Sequence, residues 1–299
     1  MEVGFIGAGK VGFSLGRYFA GHNIRVSGYY SRNPQSAREA ADFTGTGFYA
    51  SIDDLIRDSK VIFITTPDDV IGQIWEQLKA ANIYDRIVCH CSGVLSSEIF
   101  SDISAPRYRC RGYSIHPLLA VSSRLHSYKE LSNTLFTIES STKDCAGSPL
   151  QEQSDSQTDE MDAMLHSCGN QVIHLRSGDK AKYHAAAVMA SNLVLGLAQT
   201  AAQELQSCGF SREDALGALV PFMQMNVAHL ENHTPEEALT GPVERGDVQT
   251  VYTHLGKLTA QNREIYRLLS GKVLDLAKKK NPARDYHEMD QILKCKEDL

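Results

Sequence analysis

The chain has no run of apolar residues approaching the roughly 20 needed to span a bilayer, so no membrane partner is expected. It has no basic excess. Thirty lysines and arginines stand against 36 acidic residues, for a formal net charge of -6. That leaves no broad cationic surface for a phosphate backbone, and no nucleic-acid partner is expected. The N-terminus lacks the basic stretch and cleavage site of a secretory signal. Seven cysteines, odd in number and without framework spacing, do not make a disulfide scaffold, and the chain reads as cytoplasmic. Cys89 and Cys91 flank His90 on one strand face but fall short of the four ligands of a structural zinc site, so no metal is expected. With 42% hydrophobic and 22% charged residues, wholesale disorder is excluded as well.

What is present is a length, 299 residues, that suits two ordinary domains, and a change of texture near its middle. The first half alternates short apolar runs with helix-compatible segments, the pattern of a parallel α/β sheet. Strands are predicted at Val3–Ile6, Ile24–Tyr30, Val61–Thr66, Ile87–Cys91, Tyr113–Ile115, Leu135–Ile138 and Val172–Leu175. Helices are predicted near Val11–Ala20, Pro34–Phe43, Ser51–Arg57, Val70–Ala80 and Ser96–Ile103, and a polar surface loop over 141–160 leads into Asp159–Ser167. From Lys180 to Cys208 there is no proline and one glycine, with abundant alanine, leucine and valine. This predicts a single helix of roughly 40 Å, largely buried. Gly209 ends it, Ser211 caps the next helix, and a third runs from Asp247 to about Ala277. The expected architecture is an α/β Rossmann domain with a mainly parallel sheet over 1–177, followed by an all-α domain over 178–299.

Gly7-Ala8-Gly9-Lys10-Val11-Gly12 is a G-x-G-x-x-G directly after an apolar strand and at the head of an amphipathic segment, the context that makes the motif specific. Gly7 permits the tight turn, Gly9 lets backbone approach a pyrophosphate, and Gly12 lets helix and strand pack closely. At the end of the second strand an NAD site usually places an acid on the ribose 2′-hydroxyl. Here the sequence reads Ser31-Arg32-Asn33, with a guanidinium suited to a 2′-phosphate, so NADP (as NADPH) is the expected cofactor. Thr66, Pro67 and Ser92 follow two further strands and are expected along the cofactor path, while Asp68 is expected to cap the helix after it.

His116, before Pro117, either binds substrate or satisfies a turn. Lys180 and His184 are four apart and share a helix face, which continues to Ser191 and, partly rotated, Asn192. A polar stripe on an apolar helix lines a cavity or an interdomain seam. An amine at a helix N-terminus opposes the local dipole, which lowers its pKa and suits it to protonating a substrate as hydride arrives. Lys180 is therefore the expected acid, with His184, Asn192 and His116 around the reacting centre and Ser191 on the substrate. In the turn Thr240-Gly241-Pro242, followed by Arg245-Gly246-Asp247, Arg245 is a candidate carboxylate clamp and Thr240 a further contact, unless the turn is purely structural.

These marks, in this order, resemble a bacterial family of Rossmann-like oxidoreductases with a helical C-terminal domain of unassigned function. That family is similar to ketopantoate reductase, 3-hydroxyisobutyrate and 6-phosphogluconate dehydrogenases, pyrroline-5-carboxylate reductase and deazaflavin-dependent NADP reductase. In the hydroxyacid relatives a lysine and an amide stand on a long helix beside the nicotinamide. Lys180 matches the lysine, and His184 stands where asparagine would be expected. The resemblance implies an NADPH-dependent reductase of a small 2-oxo acid, ketopantoate first. The alternatives are an imine reductase of the pyrroline-5-carboxylate type or a non-catalytic NADP-binding regulatory protein. The apolar helices further suggest a homodimer.

Overall fold

The apolar runs of the first half assemble into one eight-stranded sheet in a computed structural model that describes residues 1–100, 102–141, 159–176 and 178–295. Its strands are β1 (Glu2–Ile6), β2 (Arg25–Tyr30), β3 (Gly47–Phe48), β4 (Val61–Ile64), β5 (Ile87–His90), β6 (Arg111–Pro117), β7 (Phe136–Ser140) and β8 (Val172–His174). Their spatial order is β3-β2-β1-β4-β5-β6-β7-β8, parallel except for the β6–β7 pair. Strand order reverses between β1 and β4, which opens a crevice beyond their carboxyl ends. Side chains alternate across the sheet as the two-residue period requires. Phe5 and Phe63 enter a core on one face, with ring centroids 5.6 Å apart, while Ile6, Ile62 and Ile64 enter the core on the other.

Helices α1 (Lys10–Gly21), α2 (Pro34–Thr44), α3 (Ile52–Asp58), α4 (Asp68–Ala80) and α5 (Glu160–Ser167) cover these faces. Their starts are written in local chemistry. Asn33 accepts from the Gln35 amide ahead of α2, and Ser51 accepts from the Asp54 amide ahead of α3. Two local expectations change. The helix expected over 96–103 is a single 3-10 turn, Ser97–Phe100, because the Ser96 hydroxyl bonds the Glu98 amide and competes with helical pairing. The short edge strand β3 carries too little pattern to be read from sequence. The loop expected over 141–160 lies largely outside the described residues.

Chain packing divides at Ser191–Asn192 rather than at the expected 177–178, so α6 (Lys180–Ala190) belongs to the sheet unit. The expected 180–208 helix is also broken. Ser191 leaves helical geometry at φ -123°, ψ -84°, its hydroxyl donating to Ala187 O at 2.7 Å, and α7 (Asn192–Ser207) starts afresh.

The second unit continues with α8 (Arg212–His229), α9 (Pro235–Ala238), α10 (Pro242–Arg245), α11 (Val248–Lys257), α12 (Ala260–Lys280) and α13 (His287–Lys294). Ser211 caps α8, as expected, and Asp247, where the third helix was expected to start, caps α11. The long final helix is two, since Thr259 caps α12 through the Asn262 amide. This unit's core is gathered from α10 to α13, around Val243, Val251, Leu255, Leu274 and Met289. Helices α7 and α8 contribute little to it. Ala202 and Ala215 are their only buried residues, while Leu195 is 70% and Phe222 60% exposed, which corrects the expectation of a buried helix. The stretch Lys180–Ser207 is also long and apolar enough, by length and composition, to cross a membrane. Its apolar residues are interspersed with small and polar ones, so it escapes a search for unbroken runs.

Candidate functional site

The glycine turn sits at the head of the crevice. Gly7 has φ +108°, and a side chain there would meet Thr65 backbone at 2.9 Å. At Gly12 a methyl group would lie 2.5 Å from Gly7 O. Gly9 differs, since the nearest atom to an added carbon is Thr65 O at 3.9 Å. Its missing side chain therefore leaves room for something lying above the loop. No side chain caps the start of α1, so its first amides remain available to an anion.

Gly7, Ala8, Gly9, Ser31, Arg32, Asn33, Thr66 and Pro67 line a cavity of about 400 Å³ here. The Thr66 hydroxyl is buried without a partner, an arrangement that costs about 1–3 kcal/mol unless a ligand completes it. Arg32 is exposed at the cavity edge, and Asn33 spends its carbonyl oxygen on capping α2. Lys10, Val11 and Gly12 shape the head of α1 without lining the cavity. Ser92 is a correction: its hydroxyl donates to Asp68 Oδ2 at 2.8 Å and accepts from the Val94 and Leu95 amides, so it organises the loop after β5. Asp68 is correspondingly not the cap of α4, whose N-cap is Pro67. The orphaned Thr66 hydroxyl, the open space over Gly9 and the guanidinium beside Ser31 fit an NADP molecule. Sequence reading missed Arg124, which stacks 4.0 Å over Phe13, donates to Ala8 O and pairs with Glu39 at 3.3 Å, bracing the glycine turn. Nothing local marks it, because its partners lie far off in sequence.

Beyond the carboxyl end of β5, beside β6 and the antiparallel β7, the first turn of α6 closes a second cluster. Lys180 is 2% exposed, and its amine has no hydrogen-bond partner. Burial pushes its pKa down to about 8, with Glu139, Cys91 and Asp68 opposing. Glu139, on β7, is 1% exposed. Its Oε1 accepts from Ser96 at 2.5 Å and Ser97 at 3.3 Å, and its Oε2 has no partner.

His116 Nδ1 lies 2.8 Å from the Tyr183 hydroxyl. Burial, then the nearby Lys180, His184 and His90, push His116 down to about 3, so it is neutral. His90 is held at about 4, chiefly by burial. Its Nδ1 accepts from the Ser92 amide, which assigns the proton to Nε2, facing Ser96 O at 3.2 Å. His184 lies over Gly93, where a side chain would fall 2.2 Å from its ring, and the His116 and His184 rings meet edge-on at 6.1 Å.

The structure thus brings Lys180, His184 and His116 together as the sequence suggested, and adds Glu139, His90, Tyr183 and Asp68. Glu139 gave no local signal, since one acid on a short strand reads as solvent-facing until the antiparallel pairing of β6 and β7 turns it inward. Ser191 bonds its own helix. Asn192, Thr240 and Arg245 belong to the second unit, and all three are exposed on it.

Residues 2–92 match the family model described as NADP oxidoreductase, coenzyme F420-dependent, and residues 150–273 match a domain of unknown function, DUF2520. No curated protein matches the sequence significantly. Among solved structures the chain is similar to a Thermotoga maritima protein, with 24% identity over 93% of this chain and 99% of that one, at a TM-score of 0.67. It is also similar to the pyrroline carboxylate reductase of Plasmodium falciparum with NADP bound, at 14% identity, coverage of 95% and 97%, and a TM-score of 0.58. A reductive aminase from Aspergillus terreus in complex with NADPH and ethyl levulinate aligns at 13% identity, coverage of 97% and 99%, and a TM-score of 0.59. These likenesses are of fold, and the ketopantoate reading finds no support in them. With a glycine turn, a basic second-strand end and an oxidoreductase-type first domain, the chain is an NADP-dependent oxidoreductase that joins that domain to a DUF2520 domain.

Proposed function

We propose that the protein reduces the C=N bond of a small imine with NADPH, in the manner of a pyrroline-carboxylate or imine reductase. The observation that carries this reading is the buried amine of Lys180, over the Tyr183 ring at 5.8 Å but without a hydrogen-bond partner, among neutral histidines. NADPH, when bound, supplies the hydride. The nitrogen of the reduced bond must then take up a proton, and an acid with a pKa near 8 is both charged at neutral pH and willing to release one. The hydrogen bond between His116 Nδ1 and the Tyr183 hydroxyl fixes the ring and leaves its Nε2 to orient substrate. Two fold neighbours named for reduction of pyrroline carboxylate and for reductive amination favour a C=N substrate over a 2-oxo acid.

The test is NADPH oxidation with a panel of cyclic imines and 2-oxo acids, ketopantoate among them. Turnover of a cyclic imine with release of the corresponding amine is expected, and turnover confined to oxo acids overturns the reading.

We also propose that the protein is a homodimer. Leu193, Leu195, Phe222 and Val227 are all more than half exposed on α7 and α8, an apolar surface large for a monomer to leave in water. Light scattering at micromolar concentration should give twice the 33.0 kDa chain mass.

A further inference from the structure

Two opposite charges are withdrawn from water in the same cluster without touching. The Lys180 amine has no hydrogen-bond partner, and Glu139 Oε2 has none. A buried charge without a direct partner is costly, and a carboxylate 1% exposed on a sheet strand would ordinarily be excluded or fully bonded. Glu139 is instead held by one oxygen only. The Ser96 and Ser97 hydroxyls both donate to Oε1, anchoring the carboxylate and leaving Oε2 uncommitted. Ser96 also faces His90, its backbone carbonyl accepting from Nε2 at 3.2 Å.

We propose that Glu139 is the positioning residue of Lys180: its negative charge, anchored by the Ser96 and Ser97 hydroxyls, keeps the buried amine protonated. This rests on the reading of Lys180 as the proton donor. The step balances simply. The ammonium gives one proton to the substrate nitrogen and becomes a neutral amine, and a proton from solvent restores the ammonium.

The other groups acting on the cluster cannot take this part. Cys91 lies well above its usual range through burial, up to about 12, and is neutral. His90 and His116 are held neutral, and Tyr183, its pKa raised by burial, is a phenol. Asp68 also bears on the amine, but less than Glu139 does, and its Oδ2 accepts from the Ser92 hydroxyl.

The test follows the Lys180 side-chain carbon resonance of ¹³C-lysine-labelled full-length protein against pH, assigned by its loss in Lys180→Met. This reads the amine whether or not any substrate is known, so it fails or stands apart from the imine assignment. In Glu139→Gln the titration should move down by about one unit or more, a roughly tenfold smaller protonated excess at any pH above it. Glu139→Asp keeps the charge and should stay near wild type. On an identified substrate, Glu139→Gln should lower kcat at pH 8 and leave KM and the rate at pH 6 close to wild type. A titration unmoved in Glu139→Gln, or moved equally by Gln and Asp, overturns the proposal.

Discussion

Along β1, β4 and β5 of the first unit nearly every side chain is buried, whereas along α7 and α8 of the second only Ala202 and Ala215 are. The sheet is covered on both faces by its own helices and fills two cores with Phe5, Phe63, Ile62 and Ile64. The helical unit concentrates its core in α10 to α13 and leaves Leu195, Phe222 and Val227 in water. The difference teaches where each unit's stability and chemistry come from. The first buries enough apolar surface to tolerate a charged lysine and a charged glutamate inside it. The second holds no comparable buried charge pair among its described residues and has apolar surface to spare.

The largest effect expected from breaking this contrast is at Lys180. Lys180→Met exchanges a buried ammonium for an apolar chain of similar length. If Lys180 donates the proton, kcat should fall roughly 10²–10⁴-fold while NADPH affinity stays near wild type. In wild type kcat should decline as pH rises through about 8, because only the protonated amine can donate. Stability should move the other way. The amine is depressed from 10.5 to about 8, so the folded state carries a penalty on the order of 3 kcal/mol below pH 8. Between about 8 and 10.5 the unfolded chain binds the extra proton, so wild-type stability rises with pH across that window. Lys180→Met should therefore be the more stable protein at pH 7 in denaturant titrations, with the gap closing toward pH 10.5. A less stable and fully active variant would defeat both halves of the argument.

The next effect is at the glycine turn, where a single methyl group meets backbone. In Gly12→Ala the added carbon would stand 2.5 Å from Gly7 O, and neither element can retreat without opening the cofactor cavity. Overpacking of this kind costs about 1–3 kcal/mol, which as lost NADPH affinity is roughly 5- to 150-fold. Calorimetric titration measures it directly, and unchanged affinity would show that the turn has slack. A smaller effect is expected at Arg32. Arg32→Ala should reduce the preference for NADPH over NADH by about tenfold, or ~1.4 kcal/mol. Equal loss of both cofactors would mean that the guanidinium does not read the 2′-phosphate.

How much of this was legible in the sequence divides along the same line. Each of the strands β1, β2 and β4 to β8 was readable, because parallel strands covered on both faces appear as short apolar runs between turn residues. Gly7, Gly9 and Gly12 were readable because their chemistry is local, a turn and a close approach within six residues. Lys180 and His184 were readable from a helical spacing of four. Glu139 and Arg124 were not, because what makes each significant is a partner brought by topology: Ser96 across the sheet for one, Ala8 and Glu39 for the other. Ser92 was misread because its position after a strand says nothing about which acceptor its hydroxyl will find. In the second unit composition was read as burial. Alanine, leucine and valine in a proline-free run do specify helix, but not what the helix packs against, and Ser191 was enough to break it.

The smallest effect sharpens the comparison most, because it asks what lies against the exposed helices. Gly196 stands in the interior of α7, exposed, with no atom within 4 Å of where a side chain would begin. An interior helical glycine is less favourable than alanine by about 0.5–1 kcal/mol, because it loses more backbone freedom on folding. On an open face Gly196→Ala should therefore raise stability by that amount in a denaturant titration, with cofactor binding and kcat unchanged. The proposed homodimer adds a second measurement, repeated at several protein concentrations. If a partner helix crosses elsewhere on the α7–α8 face, the gain persists and light scattering still gives the dimer. A loss of stability that grows with protein concentration would mean that backbone approaches backbone at Gly196, and the glycine would then mark the centre of the contact. A gain with a monomeric 33.0 kDa species throughout would refute the dimer and leave the exposed leucines without a covering partner.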